Sequence, residues 1–187
     1  MHLTGALILL LFMALSAAVM LLLLHWTRAG RFLHERIPDR PRRRLFLAAV
    51  SFFITFLGVR LLVYAIVHHV APFGWVMMGG RHIHHLVWGI LLLLVVGYSD
   101  MAEIGTESSP ASIFASRLIS ILFGMGAALT LDEFALWLNL SAEAYWTREG
   151  RESIDAVVLF GALLAIGAWG APLFSKPRQK AATTKLD

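Results

Sequence analysis

Apolar residues in this chain come in five long runs, separated by short polar breaks. The first extends from Thr4 to Trp26 and ends at the charged segment TRAGRFLHERIPDRPRRR. The second covers Leu45 to Val67 and is interrupted by Arg60, and the third begins at HIHHLVWG and spans His82 to Tyr98. The fourth runs from Ile113 to Leu140 and carries Asp132 and Glu133; the fifth runs from Ser153 to Phe174. Helices of roughly 20 residues, rising 1.5 Å per residue, match a hydrocarbon layer about 30 Å thick. The pattern therefore predicts an all-α polytopic transmembrane bundle of about five spans (4–26, 45–67, 82–98, 113–140 and 153–174) forming one domain over 1–187. No fixed-period repeat is visible.

The polar breaks give these spans a direction. Seven arginines in 27–44 and four basic residues in the 175–187 tail make up eleven of the sixteen Lys and Arg. Such residues resist translocation, so loop and tail are expected inside and the chain N-out/C-in. The loop after the third run holds Asp100, Glu103 and Glu107 without a basic residue, yet is short enough to follow its neighbours. Ser109 followed by Pro110 is a helix-start signal. The first run lacks a basic leader and exceeds the 7 to 15 apolar residues of a signal peptide, so it reads as a retained helix. The expected location is the cell membrane, multi-pass.

Composition agrees, with 58% hydrophobic and 15% charged residues. Mean hydropathy is +0.73. The net charge of +4 sits beside the spans, which points to the lipid bilayer as partner and away from nucleic acid. With no cysteine, disulfides, thiolate metal sites and cysteine nucleophiles are excluded. Any metal must be held by His and carboxylate.

Ionisable residues inside spans are costly unless paired, so they are the candidate chemistry. Arg60 lies seven residues before the end of the second run, and Glu133 seven before the end of the fourth. Both are then about 10 Å below the same surface, where Arg60 can pair with Asp132 or Glu133. The third run enters from that side with His82, His84 and His85, and the fifth brings Asp155. Taken as helical, His82 and His85 share a face; if the chain is still extended there, His82 and His84 share one instead. Glu133 lies on a stripe with Gly126, Thr130 and Trp137, which favours it as the inward carboxylate. Tyr145, Trp146 and Glu149 are candidates for a lid, while His68 and His69 and the tryptophans fit an interfacial belt.

Imidazoles and carboxylates in this pattern suit zinc, iron or manganese. The expected metal ligands are His82, His84, His85 and Glu133, with Glu133, Asp132, Arg60 and Asp155 as catalytic candidates. A metal-activated water would act on an amphipathic or lipid-like substrate. Two alternatives belong to other classes: a proton or metal-ion carrier, and a noncatalytic scaffold assembled through small-residue helix faces. The bland readings are a polar interfacial cap for the histidines, a structural ion pair for Arg60, and a first-turn position for Asp155, with Ser153 capping. The sequence leaves oligomeric state open.

The H-E-x-x-H and G-x-S-x-G signatures are absent, as are the paired HxxxH histidines of the alkaline-ceramidase superfamily. The segments GRHIHHLVWG and LTLDEFALWL resemble a group of small prokaryotic polytopic membrane proteins with an HxHH-containing span and a later LDE, a group without an established activity. The resemblance covers the third to fifth runs and implies that His82, His84, His85, Asp132 and Glu133 act as one unit.

Overall fold

The computed structural model describes residues 4–70, 75–78, 81–139 and 151–169. Among the described residues, seven helices follow in order: α1 (Thr4–Trp26), α2 (Arg28–Arg36), α3 (Arg40–Val67), α4 (His85–Met101), α5 (Pro110–Asp132), α6 (Phe134–Asn139) and α7 (Arg151–Trp169). Two-residue strands β1 (Met77–Met78) and β2 (Arg81–His82) pair antiparallel just before α4. Four of the described helices are long and apolar enough to cross a membrane, and α4, with 17 residues, is a shorter apolar one. The chain is thus an all-α protein of membrane-protein character. Its long helices carry apolar side chains outward as well as inward, including Leu15, Leu61, Leu94 and Leu159, the last 72% exposed. A water-soluble surface does not sustain contiguous apolar faces of that kind.

Local chemistry explains the boundaries. Thr27 caps α2 by accepting from the Ala29 amide at 3.1 Å, and Ser109 caps α5 by accepting from Ser112 at 3.2 Å. Pro110 then fills the first position of α5, where its missing N–H costs nothing. α5 begins there rather than at Ile113, and α3 extends back through the arginines to Arg40. α3 ends with His69 in the left-handed region, φ 52°.

Helix directions follow from cross-helix contacts. Ser51 bonds the Ile121 carbonyl and Arg60 reaches Asp132, so α3 and α5 run parallel. α4 runs opposite to both, with His85 at Asp132 and Asp100 at Arg44. α7 also opposes α3, since Arg42 donates to the Ala168 carbonyl near its end. The α3/α5 seam is packed through small residues: Ala48, Ala49, Ser51, Ala127 and Ala128 are all buried. A Cβ on Gly124 would strike Ser51 Oγ and the Ala48 carbonyl. Close approach of this sort is how helices associate in lipid, where burial of apolar surface no longer discriminates.

The arginine run is more than an orientation signal. Arg40 donates to the Thr106 and Glu107 carbonyls at 2.6 and 2.9 Å and also to that of Gly105. Gly105 adopts φ 83°, a conformation that glycine accepts without strain. Arg43 holds the Ile37 and Pro38 carbonyls at 2.8 and 2.5 Å. These side chains tie loop and helix-end carbonyls together at one end of the bundle.

The seam makes a testable contrast. Gly124→Ala should destabilise the protein by about 1–3 kcal/mol through overpacking. Gly97→Ala, which meets nothing within 4 Å, should be neutral or stabilising by up to about 1 kcal/mol. Thermal unfolding of the two variants in detergent checks both.

Candidate His–carboxylate site

At the end of the bundle opposite the arginines, α5 stops at Asp132, and Glu133 takes φ −106°, ψ 23° before α6 begins. This break replaces the continuous fourth span expected to Leu140; residue 140 itself lies outside the described residues. On an unbroken helix, neighbouring residues point about 100° apart. The break instead lets Asp132 and Glu133 both engage the start of α4.

Asp132 is fully buried, with a side-chain exposure of 0%. Its Oδ1 pairs with Arg60 Nε, and its Oδ2 lies 2.9 Å from His85 Nε2. Arg60 also donates from Nη2 to the Asp132 carbonyl at 3.3 Å, placing a cation on the end of α5, where unsatisfied carbonyls gather. The Arg60 guanidinium stands over the Phe56 ring at 5.3 Å. Of the two carboxylates open to Arg60 on sequence grounds, the geometry selects Asp132.

Glu133 serves the other partner helix. Its Oε1 lies 2.8 Å from His84 Nδ1, and its Oε2 accepts the Leu86 amide at 2.9 Å. His84 is the N-cap of α4 but makes no capping bond of its own, so Glu133 caps that helix from across the bundle. A negative charge there also suits the helix dipole. His85 Nδ1 faces Glu133 Oε2 at 3.6 Å, beyond normal hydrogen-bond length.

The helical pairing of His82 with His85 is not what the chain adopts. His82 belongs to β2, paired with Met77, and α4 starts only at His85. The Ile83 amide donates to the Val76 carbonyl at 2.8 Å, which keeps this entry extended. The extended alternative holds, and His82 stacks on His84 with centroids 4.6 Å apart. Trp75 covers His82 at 5.0 Å. Partial burial pushes the His82 imidazole below its ordinary 6.5, helped by His84 and opposed by the Glu133 charge.

The structure thus brings together Arg60, His84, His85, Asp132 and Glu133, with His82 attached through His84. Asp155 is exposed on α7 and makes no hydrogen bond or ion pair with a described residue. Tyr145, Trp146 and Glu149 lie outside the described residues. Among the described residues, no three of the His, Asp and Glu side chains surround one point as metal ligands would. His84 bonds Glu133 and His85 bonds Asp132, with Glu133 a more distant second neighbour of His85.

Sequence reasoning missed three supporting groups. Ser153, read there as a cap for its own helix, accepts instead from the Ala135 amide at 2.9 Å and so steadies α6 just past Glu133. Thr55 Oγ1 and Thr130 Oγ1 are buried within the bundle and make no hydrogen bond with a described residue. Thr130 could have been flagged, since it shares the Glu133 stripe; Thr55 and Ser153 carried no such signal. Compared with known proteins, the chain matches no family model, no curated protein and no solved structure. The likeness carried by GRHIHHLVWG and LTLDEFALWL therefore stands on those two segments alone.

The His82 environment has a measurable sign. Its imidazole should titrate below 6.5 in the folded chain, the value expected when unfolded. Above that pH both states are neutral and His82 adds no pH dependence. As pH falls below it, the unfolded chain takes up the proton first and the folded state loses stability. Nitrogen-15 NMR of labelled histidine checks this; a His82 midpoint above 6.5 would contradict the burial argument.

Proposed function

We propose that this chain is a five-span protein of the cell membrane, N-out/C-in, whose outer end holds a divalent transition metal, zinc, iron or manganese, used to activate water on an amphipathic or lipid-like substrate. α4 counts as the remaining span in this reading, and the arginine-rich end faces inward. The observation that carries it is the division of labour at His85. Its Nε2 is oriented by a buried carboxylate, Asp132, while its Nδ1 lies 3.6 Å from Glu133 Oε2. Two ligands of a tetrahedral zinc, each 2.0–2.1 Å from the ion, stand about 3.3 Å apart. A histidine held by a carboxylate on one nitrogen while the other faces a ligand is the usual support of a metal site.

In this reading His84, His85 and Glu133 are the ligands, reached by small rotations of side chains already in contact, and His82 is an alternate through its stack on His84. Asp132 fixes the His85 tautomer, and Arg60 holds Asp132 in place through its other oxygen. A bound metal would supply a Lewis acid and a water ionising near neutral pH. Arg60 is 28% exposed, which leaves it room to meet an anionic substrate group as well.

A second reading, a proton carrier, gains support from the buried hydroxyls of Thr55 and Thr130 and from Ser51, Ser116 and Ser120, all buried on α3 and α5. These lie between the two ends of the bundle, on the second and fourth spans.

Metal analysis of protein purified in native-like lipid separates the two. The metal reading predicts about one ion per chain, lost in His85→Ala and Glu133→Ala, with affinity lowered roughly 10–100-fold in Asp132→Asn. No stoichiometric metal, together with proton flux into liposomes that disappears in Glu133→Gln, would replace it with the carrier.

A further inference from the structure

The arginine-rich end carries a second site. Arg40, Arg43, Arg44, Arg117 and His34 line a cavity of about 300 Å³ whose walls include no carboxylate. Arg44 is neutralised by Asp100 at 2.6 Å. Arg40 and Arg43 spend donors on backbone carbonyls, which are dipoles and carry no net charge. Arg43 lies within Coulombic range of both Arg40 and Arg117, and Asp39 offsets only part of that charge. Arg117 is half-buried two turns into α5 and forms no hydrogen bond or ion pair with a described residue. An arginine at such a depth is expensive without a counter-charge.

The same Arg117 borders a second, apolar space. Between α1 and α5 a groove of about 600 Å³ is lined by Ala18, Leu21, Leu22, Ile113 and Phe114, with Arg117 and His25 at its charged end. Cation cluster and groove thus meet at one guanidinium. A planar guanidinium offers paired donors to phosphate oxygens, and Arg40, Arg43 and Arg117 present three at one cavity. The groove beside them has the polarity of an acyl chain.

We propose that this end binds an anionic phospholipid, its phosphate held by Arg43 and Arg117 with support from Arg40, and one acyl chain lying in the α1/α5 groove. The site is far along the bundle from Asp132 and does not depend on how the His–carboxylate site is used. It also joins α1 to the rest of the bundle. α1 meets α3 where Phe12 lies over Gly58, and its buried Leu9, Met13, Ala17 and Met20 belong to the apolar core.

Native mass spectrometry of the full chain, titrated with phosphatidylglycerol or phosphatidylcholine, tests this. The wild type should retain phosphatidylglycerol roughly tenfold better than phosphatidylcholine, and Arg117→Gln should lower that retention about fivefold. Arg151→Gln, at the opposite end, should leave it unchanged. Ala18→Phe, a change at an exposed position, fills the groove without altering charge and should also release the lipid. It decides the matter if Arg117→Gln fails to fold. Equal retention of the two lipids, or unchanged retention in Ala18→Phe, would overturn the proposal. So would inorganic phosphate that displaces the lipid and raises the melting temperature of wild type and Ala18→Phe alike, since the site would then take free phosphate and not lipid.

Discussion

A fully buried carboxylate at Asp132 is the interaction on which the rest of this structure turns. An unpaired charge in an apolar bundle costs several kcal/mol, so the chain can bury Asp132 only by bringing partners to it. Arg60 comes from α3 and His85 from the first turn of α4, and each occupies a different oxygen. Three helices are thereby held at one level. Glu133 adds a second clamp, because the helix break after Asp132 leaves its carboxylate at the Leu86 amide and the His84 ring.

That clamp depends on helices that approach closely below it. A Cβ on Gly89 would meet Thr130 Oγ1 and the Gly126 carbonyl, so α4 and α5 lie nearly backbone to backbone one turn beneath His85. Bulk at this crossing would push α4 outward and move His84 and His85 away from their carboxylates. The small residues on α5 and the polar cluster above them are parts of one arrangement: the seam sets the distance, and the cluster uses it. At the other end, arginines perform a comparable service by gathering loop carbonyls, leaving a surplus of positive charge around Arg117.

The helical runs were legible because lipid imposes a strong rule, that every backbone group be satisfied within a helix. Arg60 and the Asp132–Glu133 pair were legible for the complementary reason, since charges inside apolar runs stand out. What escaped was local. His82 reads as the first turn of a helix, yet pairing with Met77 keeps it extended, and only tertiary context reveals that choice. The break at Glu133 has no glycine or proline to announce it; Arg60 on the last carbonyl of α5 and Ser153 on the Ala135 amide stabilise two helix ends where one helix was expected. The arginine run looked like a topology signal, which carries no information about which carbonyls each side chain would find.

Asp132 couples α3 to α5 through Arg60. A double-mutant cycle for unfolding in detergent, using Asp132→Ala, Arg60→Ala and the pair, tests it most directly. Removing one partner should cost about 3–5 kcal/mol, and removing the second should add little, because the buried charge left behind by the first is then gone. Costs that simply add would show that the two residues do not act on each other, and the account of a junction at Asp132 would be wrong.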